Sequence, residues 1–330
     1  MQSRTKDTIS AKILADSICA TRLTTFELTF PRTVLAELNT HRVFARNSAS
    51  SRAIPNSTLM DKISTTPFVP FFQKNEKGMQ STADYTEEEL ESLNDSWLAM
   101  LKDTMEKIEL IAKEFNPHKQ FINRLVEPWM YTTVILTGTE YANFFALRDH
   151  PAAEPHIRLL ANKMKYLYDR SEPKRLLTND WHLPLVDVEA HEASAVLIYE
   201  DAITHLSKHD EKNGTQLAQS YPRDRFDKFR LQDISAGKCA RVSYLTHDGK
   251  RNLYEDIRLA LQLSTSFPSH FSPFEHQARH ASVLDMVWSL DQLTCVGGIP
   301  YPKSGEIGMC GPYKGWKQYR KFFDNENIIV

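Results

Sequence analysis

Thr40-His41-Arg42-Val43-Phe44-Ala45-Arg46-Asn47-Ser48-Ala49-Ser50-Ser51-Arg52 gathers a histidine, three arginines, an asparagine and three serines into one short run. So many cationic and hydroxyl donors close together suit phosphate or carboxylate groups. The segment before it, Thr25-Phe26-Glu27-Leu28-Thr29-Phe30-Pro31, reads as a strand. A donor-rich segment leaving a structured element can seat a nucleotide or nucleotide cofactor. The alternative is a solvated loop. Nothing here has the glycine spacing of a P-loop or a Rossmann fingerprint, so neither of those folds is supported.

Working outward, the 330 residues carry a formal net charge of -2, with 41% hydrophobic and 25% charged residues. This is ordinary globular composition, enough for one large domain or two smaller ones. The near-neutral balance argues against a general nucleic-acid or membrane-surface binder. Cys19, Cys239, Cys295 and Cys310 are dispersed without CxxC spacing, which predicts reduced thiols, no disulfides and a cytoplasmic protein. No signal peptide and no membrane-spanning run is expected.

Along the chain, residues 8–54 alternate short apolar runs with polar breaks. Residues 55–80 read as irregular, and the two prolines of Thr66-Pro67-Phe68-Val69-Pro70-Phe71-Phe72 forbid a regular helix there. Its aromatics are expected to pack as a lid or an intersubunit arm. The clearest helix is 86–115: Thr86 and Glu89 form a capping box, and Leu90, Leu93, Trp97, Leu101, Met105, Ile108, Ala112 and Phe115 recur at helical spacing. Further helices are expected over 119–136, 140–148, 154–170, 189–208, 252–263 and 316–323. The glycine-rich stretch 297–315 reads as loop. Residues 209–230 are charged and polar and mark a linker between a core of 1–208 and a C-terminal segment of 231–330.

Three other segments carry chemistry. Arg148 ends the apolar run Asn143-Phe144-Phe145-Ala146-Leu147-Arg148; it either snorkels to solvent or aims its fork at a pyrimidine edge or carboxylate. Glu275 and His276 could form an acid/base pair, yet neighbours on a helix point about 100° apart. His276 and His280 stand four apart, a spacing that could bind zinc on a helix. No third ligand is evident, and no metal is expected. No GxSxG elbow and no reactive cysteine setting occurs, so a covalent nucleophile is not supported.

These residues together resemble the flavin-dependent thymidylate synthases, whose signature is Arg-His-Arg, seven residues, then Ser. Here Thr40-His41-Arg42 is followed by seven residues and Ser50, with Asn47 and Arg52 also in place. Asn143 to Arg148 is similar to the family's helix ending in a pyrimidine-binding arginine. Ala240-Arg241-Val242-Ser243-Tyr244 and Ser272-Pro273-Phe274-Glu275-His276 look like the segments that open the family's usual order. Here they follow the signature, so the chain resembles a circularly permuted or rearranged member, in a phage-like variant.

The resemblance implies an α+β fold with a central antiparallel sheet flanked by long helices. It implies methylation of C5 of dUMP, with methylenetetrahydrofolate as carbon donor, reduced FAD as hydride donor and NADPH as reductant. Arg148 and Ser50 would be catalytic. His41, Arg42, Val43, Asn47, Asn143 and His276 would bind FAD, while Glu37, Ser50, Ser51, Arg52 and Arg148 would bind the nucleotide in a homotetramer. There are departures. Thr40 replaces the first signature arginine, Glu37 stands at a usual glutamine, and Ser48 replaces a glutamate. Residues 137–141 lack the flavin-contacting Asn-x-Arg, and Thr132-Thr133 lacks another arginine. Arg46, Arg124 or Arg320 could substitute. The rival readings are hydroxymethylation of dUMP or dCMP, and a catalytically inactive nucleotide- or partner-binding member.

Overall fold

Aromatic and aliphatic side chains alternate with threonines along Arg22–Pro31, and a pleated backbone sends the two sets to opposite faces. In the computed structural model this run is β2 of a five-stranded sheet. The structure describes residues 2–77, 81, 83–177, 180–187, 230–244, 253–281, 293–296, 299–302, 312–323 and 325–326. β1 (Ser10–Ile18), β3 (Ala45–Ser48), β4 (Tyr131–Gly138) and β5 (Lys174–Arg175) complete the sheet in the order β3-β4-β2-β1-β5. Its pairs are antiparallel except for the two-residue β1–β5 edge.

One face carries Phe26, Leu28, Phe30, Val134 and Leu136. They pack on α1 (Ala142–Arg148) and α2 (Pro155–Arg170) through Phe144, Phe145, Ile157, Leu160 and Met164. The other face is covered as well: Ile135 packs with Cys239 and Val242 of the C-terminal segment. Both faces are dry, so β2 reads as a nearly continuous buried run. The C-terminal segment contributes α3 (Arg230–Arg241) and α4 (Leu253–Thr265). A second sheet joins β6 (Trp181–His182), β7 (Ala278–His280) and β10 (Trp316–Gln318), so strands from both halves of the chain share hydrogen bonds. β8 (Leu293–Val296) and β9 (Ile299–Pro302) form a separate hairpin.

The long helix α5 (Glu87–Phe115) forms with its capping box and ends at Asn116, whose φ of 46° places it in the left-handed region. Leu101 and Ile108 are buried against Leu59, Met60, Ile63, Val126 and Trp129, with Trp97, Met105 and Ala112 partly buried beside them, so the middle of its stripe is core while Phe115 at its end is exposed.

Several expectations need correction. The stretch 119–136 is not one helix. Lys119–Ile122 is one helical turn, Asn123–Trp129 is 3-10 with Pro128 inside it, and the β-branched run Thr132-Thr133-Val134-Ile135 continues as β4. Residues 55–80 contain a helix, Asn56–Thr65, begun by Pro55. The Pro/Phe segment after it straps across its own chain. Phe71 stacks on His156 at 4.3 Å, Phe68 meets the same ring edge-on at 5.0 Å, and the Phe71 N–H donates to His156 Nε2 at 2.9 Å. Residues 316–323 form β10 and a 3-10 turn, Tyr319–Phe322, because Trp316 and Gln318 are buried at alternate positions. Part of the expected 297–315 loop is strand β9. The expected helix 189–208 and almost all of the 209–230 linker lie outside the described residues. Among the described residues no helix is long and apolar enough to cross a membrane.

Candidate functional site

The donor-rich run is bent back on itself by local bonds. Leu35–Asn39 forms one helical turn, and Thr40 Oγ1 donates to the Glu37 carbonyl at 2.7 Å, closing it. His41 follows, buried edge-on against Phe144 at a centroid distance of 5.0 Å. Phe44 stacks on Tyr141 at 4.8 Å, and a Cβ at Gly138 would come within 2.5 Å of the Phe44 ring, so only glycine admits this packing.

Arg148, at the end of α1, reaches this turn. Its Nε donates to His41 Nε2 at 3.0 Å, and its Nη2 donates to Thr40 Oγ1 at 3.1 Å and to the Glu37 carbonyl at 3.4 Å. His41 therefore accepts at Nε2 and carries its proton at Nδ1. Burial, then the charges of Arg148 and Arg46, lower its pKa and keep it neutral. The Arg148 Nη1 makes no hydrogen bond among the described residues, so one edge of the fork is left for a ligand. Thr40, where the family pattern has arginine, supplies an acceptor that orients Arg148 instead of a like charge that would repel it. The carboxylate atom Glu37 Oε2 is shielded and has no partner among the described residues.

Glu37, His41 and Arg148 thus form one cluster, with exposed Arg42 and Val43 on its turn and exposed Asn143 on α1. The other sequence-predicted residues lie along β3 and beyond it. Asn47 is buried and its Nδ2 donates to the Cys239 carbonyl at 2.6 Å. The Ser50 N–H donates to the Ser243 carbonyl at 3.2 Å. Ser51 is buried, with its hydroxyl donating to Glu127 Oε1 at 2.5 Å, and Arg52 is exposed. The structure therefore brings the Ala240–Tyr244 motif against the signature strand although 192 residues separate Asn47 from Cys239. The Ser272–Glu275 turn packs on β3 as well.

His276 is fully buried, and its Nδ1 lies 2.8 Å from Thr137 Oγ1. Glu275 turns the other way and pairs with Arg320, while burial raises its pKa. They do not act on one point. His276 closes a 3-10 turn and His280 lies in β7, so their four-residue spacing is not a helical face. Among the described residues no cluster of three or more His, Cys, Asp or Glu is placed to hold a metal. Of the substitute arginines, Arg46 is engaged with the Asn39 and His41 carbonyls and Arg320 with Glu275 and Glu326, whereas Arg124 is exposed. Sequence reasoning missed Glu127, Thr137 and His182, since a lone glutamate, threonine or histidine has no local signal for a distant partner.

His182 is also buried, and burial lowers both His182 and His276 to about 3. Their folded pKa lies below the unfolded value of 6.5, so the unfolded chain binds more protons as pH falls. The stability they contribute is complete above about 6.5 and is lost progressively down to about 3. The urea midpoint is therefore expected to fall between pH 7 and pH 4, reporting a loss of up to about 2 kcal/mol of stability per histidine at pH 5. A His182→Gln variant should show a shallower decline.

The family model for the thymidylate synthase complementing protein matches residues 9–174, half of the chain, and the protein belongs to that family of flavin-dependent thymidylate synthases. The match holds β1–β4 and the His41–Arg148 cluster but stops before the Ala240–Tyr244 and Ser272–His276 segments. Among solved structures the chain is similar to a UMP/dUMP methylase, PolB from Streptomyces cacaoi, bound with 5-Br UMP: 13% identity, 49% of this chain, 89% of that chain and a TM-score of 0.40. No curated protein matches.

Proposed function

We propose that this protein transfers a one-carbon unit from methylenetetrahydrofolate to C5 of dUMP, with FAD as cofactor and NADPH as reductant. Family membership supports the reaction class, and the observation that carries the site is the free edge of Arg148, held by His41 and Thr40. A guanidinium fixed at Nε and Nη2 presents Nη1 to a pyrimidine carbonyl or deprotonated ring nitrogen. Such a contact favours the electron-rich N3-deprotonated base, which makes C5 more nucleophilic. Glu37 and Arg52 complete the nucleotide side, with the Ser50 hydroxyl for phosphate.

The donor set fits a flavin dinucleotide: Arg42 is an exposed cation, Val43 an exposed apolar surface and Asn143 an exposed amide beside the same cluster. Arg42 makes no ion pair among the described residues, as expected of a phosphate ligand. FAD when bound supplies hydride. His41, kept neutral by burial and by the charge of Arg148, holds the turn that carries Arg42 and Val43. Leu110, Ile111 and Phe115 of α5, with Phe121 and Leu125, are exposed apolar side chains suited to assembly as a homotetramer in a cytoplasmic enzyme.

The test is a visible-absorption titration of the purified protein with FAD. Saturable perturbation of the flavin bands, altered again by dUMP, is expected. A protein that leaves the FAD spectrum unchanged favours the inactive, partner-binding reading. A second reading, hydroxymethylation of dUMP or dCMP, is favoured by the unpartnered Glu37 carboxylate at a position where the family pattern has an amide; an added hydroxymethyl group in the product would establish it.

A further inference from the structure

A chain of polar side chains crosses the sheet where only apolar packing is needed. Ser17 Oγ lies 2.9 Å from His182 Nδ1, and His182 Nε2 lies 2.7 Å from Thr25 Oγ1. Thr25 Oγ1 is 2.8 Å from Thr137 Oγ1, which is 2.8 Å from His276 Nδ1. All five residues are buried, and they come from β1, β6, β2, β4 and the turn before β7. At the far end His276 Nε2 is shielded from solvent and has no partner among the described residues. Tyr313 donates its hydroxyl to the Glu275 carbonyl at 2.7 Å and stands in hydrogen-bond contact with Thr137, a side branch that does not reach His276 Nε2.

Both rings are neutral at pH 7, so each carries one N–H and one bare nitrogen. Each hydroxyl has one proton. With every hydroxyl accepting from one neighbour and donating to the other, two proton arrangements satisfy all four links. In one, Ser17 donates to His182 Nδ1, His182 Nε2–H to Thr25, Thr25 to Thr137, and Thr137 to His276 Nδ1; His276 then carries its proton on Nε2. In the other every donor is reversed, and His276 Nε2 is a bare acceptor. In both arrangements the two rings hold the same tautomer, whereas opposite tautomers would leave Thr25 or Thr137 accepting from both neighbours, or their mutual link without a proton, and break the run of donors. Passing from the first to the second delivers one proton at His276 Nε2 and takes one up at Ser17, with no change in net charge.

We propose that Ser17, His182, Thr25, Thr137 and His276 form one cooperative proton relay, with His182 a remote positioning residue that sets whether His276 offers a donor or an acceptor. A buried orphan N–H is rarer than a buried orphan acceptor, so the ligand-free protein holds both rings in the Nδ1–H form. A partner at Nε2 that brings a donor keeps this state; one that brings an acceptor reverses the whole chain. Such a reversible contact suits a heteroaromatic ligand whose ring nitrogen gains or loses a proton. That last use rests on the flavin reading, whereas the relay rests on the distances alone.

The test is 15N NMR of histidine-labelled full-length protein without ligand, reading the Nδ1 and Nε2 shifts of both rings. The same Nδ1–H tautomer is expected at His182 and His276. Opposite tautomers would overturn the relay, because Thr25 or Thr137 then accepts from both sides, or their link lacks a proton, and no continuous run of donors joins Ser17 to His276. In Thr25→Val the ring shifts of His276, which does not touch Thr25, should move, and Thr25→Ser should restore them. Unmoved His276 shifts in a folded Thr25→Val protein would also overturn it. Should that variant not fold, the wild-type spectrum still decides.

Discussion

Arg148→Ala lowers kcat/KM for dUMP by roughly two to three orders of magnitude, the scale of losing one preorganised charged donor from an electrostatic site. The expectation follows from how the side chain is held. Three donor contacts, to His41, Thr40 and the Glu37 carbonyl, fix the guanidinium without using Nη1. Alanine removes the free edge and the cation together. Stability should fall by about 1 kcal/mol or less, since the side chain is only half-buried and His41 Nε2 can take water in place of Nε. Arg148→Lys keeps the charge but not the fork, and should recover only a small part of the rate. FAD binding should persist in both variants, because Arg42, Val43 and Asn143 are untouched. Unchanged turnover in Arg148→Ala would remove Arg148 from the site.

Asp256→Ala is expected to destabilise the protein by about 3–5 kcal/mol, read as a drop in the urea midpoint. Arg241 Nε lies 2.8 Å from Asp256 Oδ1, and the two side chains are 3% and 0% exposed. Truncating the acid leaves an arginine charge in a dry interior. The site feels it because α3 carries Arg241 and also the Cys239 carbonyl that binds Asn47, and Ser243 follows with the carbonyl that binds the Ser50 N–H. α3 and α4 touch backbone to backbone: a Cβ at Gly237 would sit 2.1 Å from the Asp256 carbonyl oxygen. The double variant Arg241→Met/Asp256→Leu removes both charges and should recover much of the loss. If Asp256→Ala alone costs under 1 kcal/mol, the ion pair does not hold the C-terminal segment against the signature strand.

Much of the fold was legible locally. Thr86, Glu89 and the stripe to Phe115 carry their own start, period and stop. The alternation across residues 25–31 announced β2. Misreadings fell where neighbours decide. Residues 131–138 became strand because two strands flank them, and 316–318 became strand because Ala278–His280 offers an edge. The candidate site was legible as a set of residue types, since arginines, serines and a histidine crowd into one run. Their division was not: Asn47 and Ser51 look like ligand donors in sequence, yet the fold commits both to internal acceptors. Nor could Thr40 be read as the residue that orients Arg148, a contact made 108 positions away. The sequence placed the Ala240–Tyr244 segment far from the signature run, and the contacts of Asn47 and Ser50 with the Cys239 and Ser243 carbonyls bring the two together in space.

The most direct test of the account is the product formed when the purified protein is incubated with dUMP, methylenetetrahydrofolate, NADPH and FAD, identified by mass spectrometry. The account predicts a C5-methylated nucleotide whose formation requires FAD and is lost in Arg148→Ala. Unmodified dUMP from protein saturated with FAD, or methylation that proceeds without any flavin, would contradict it.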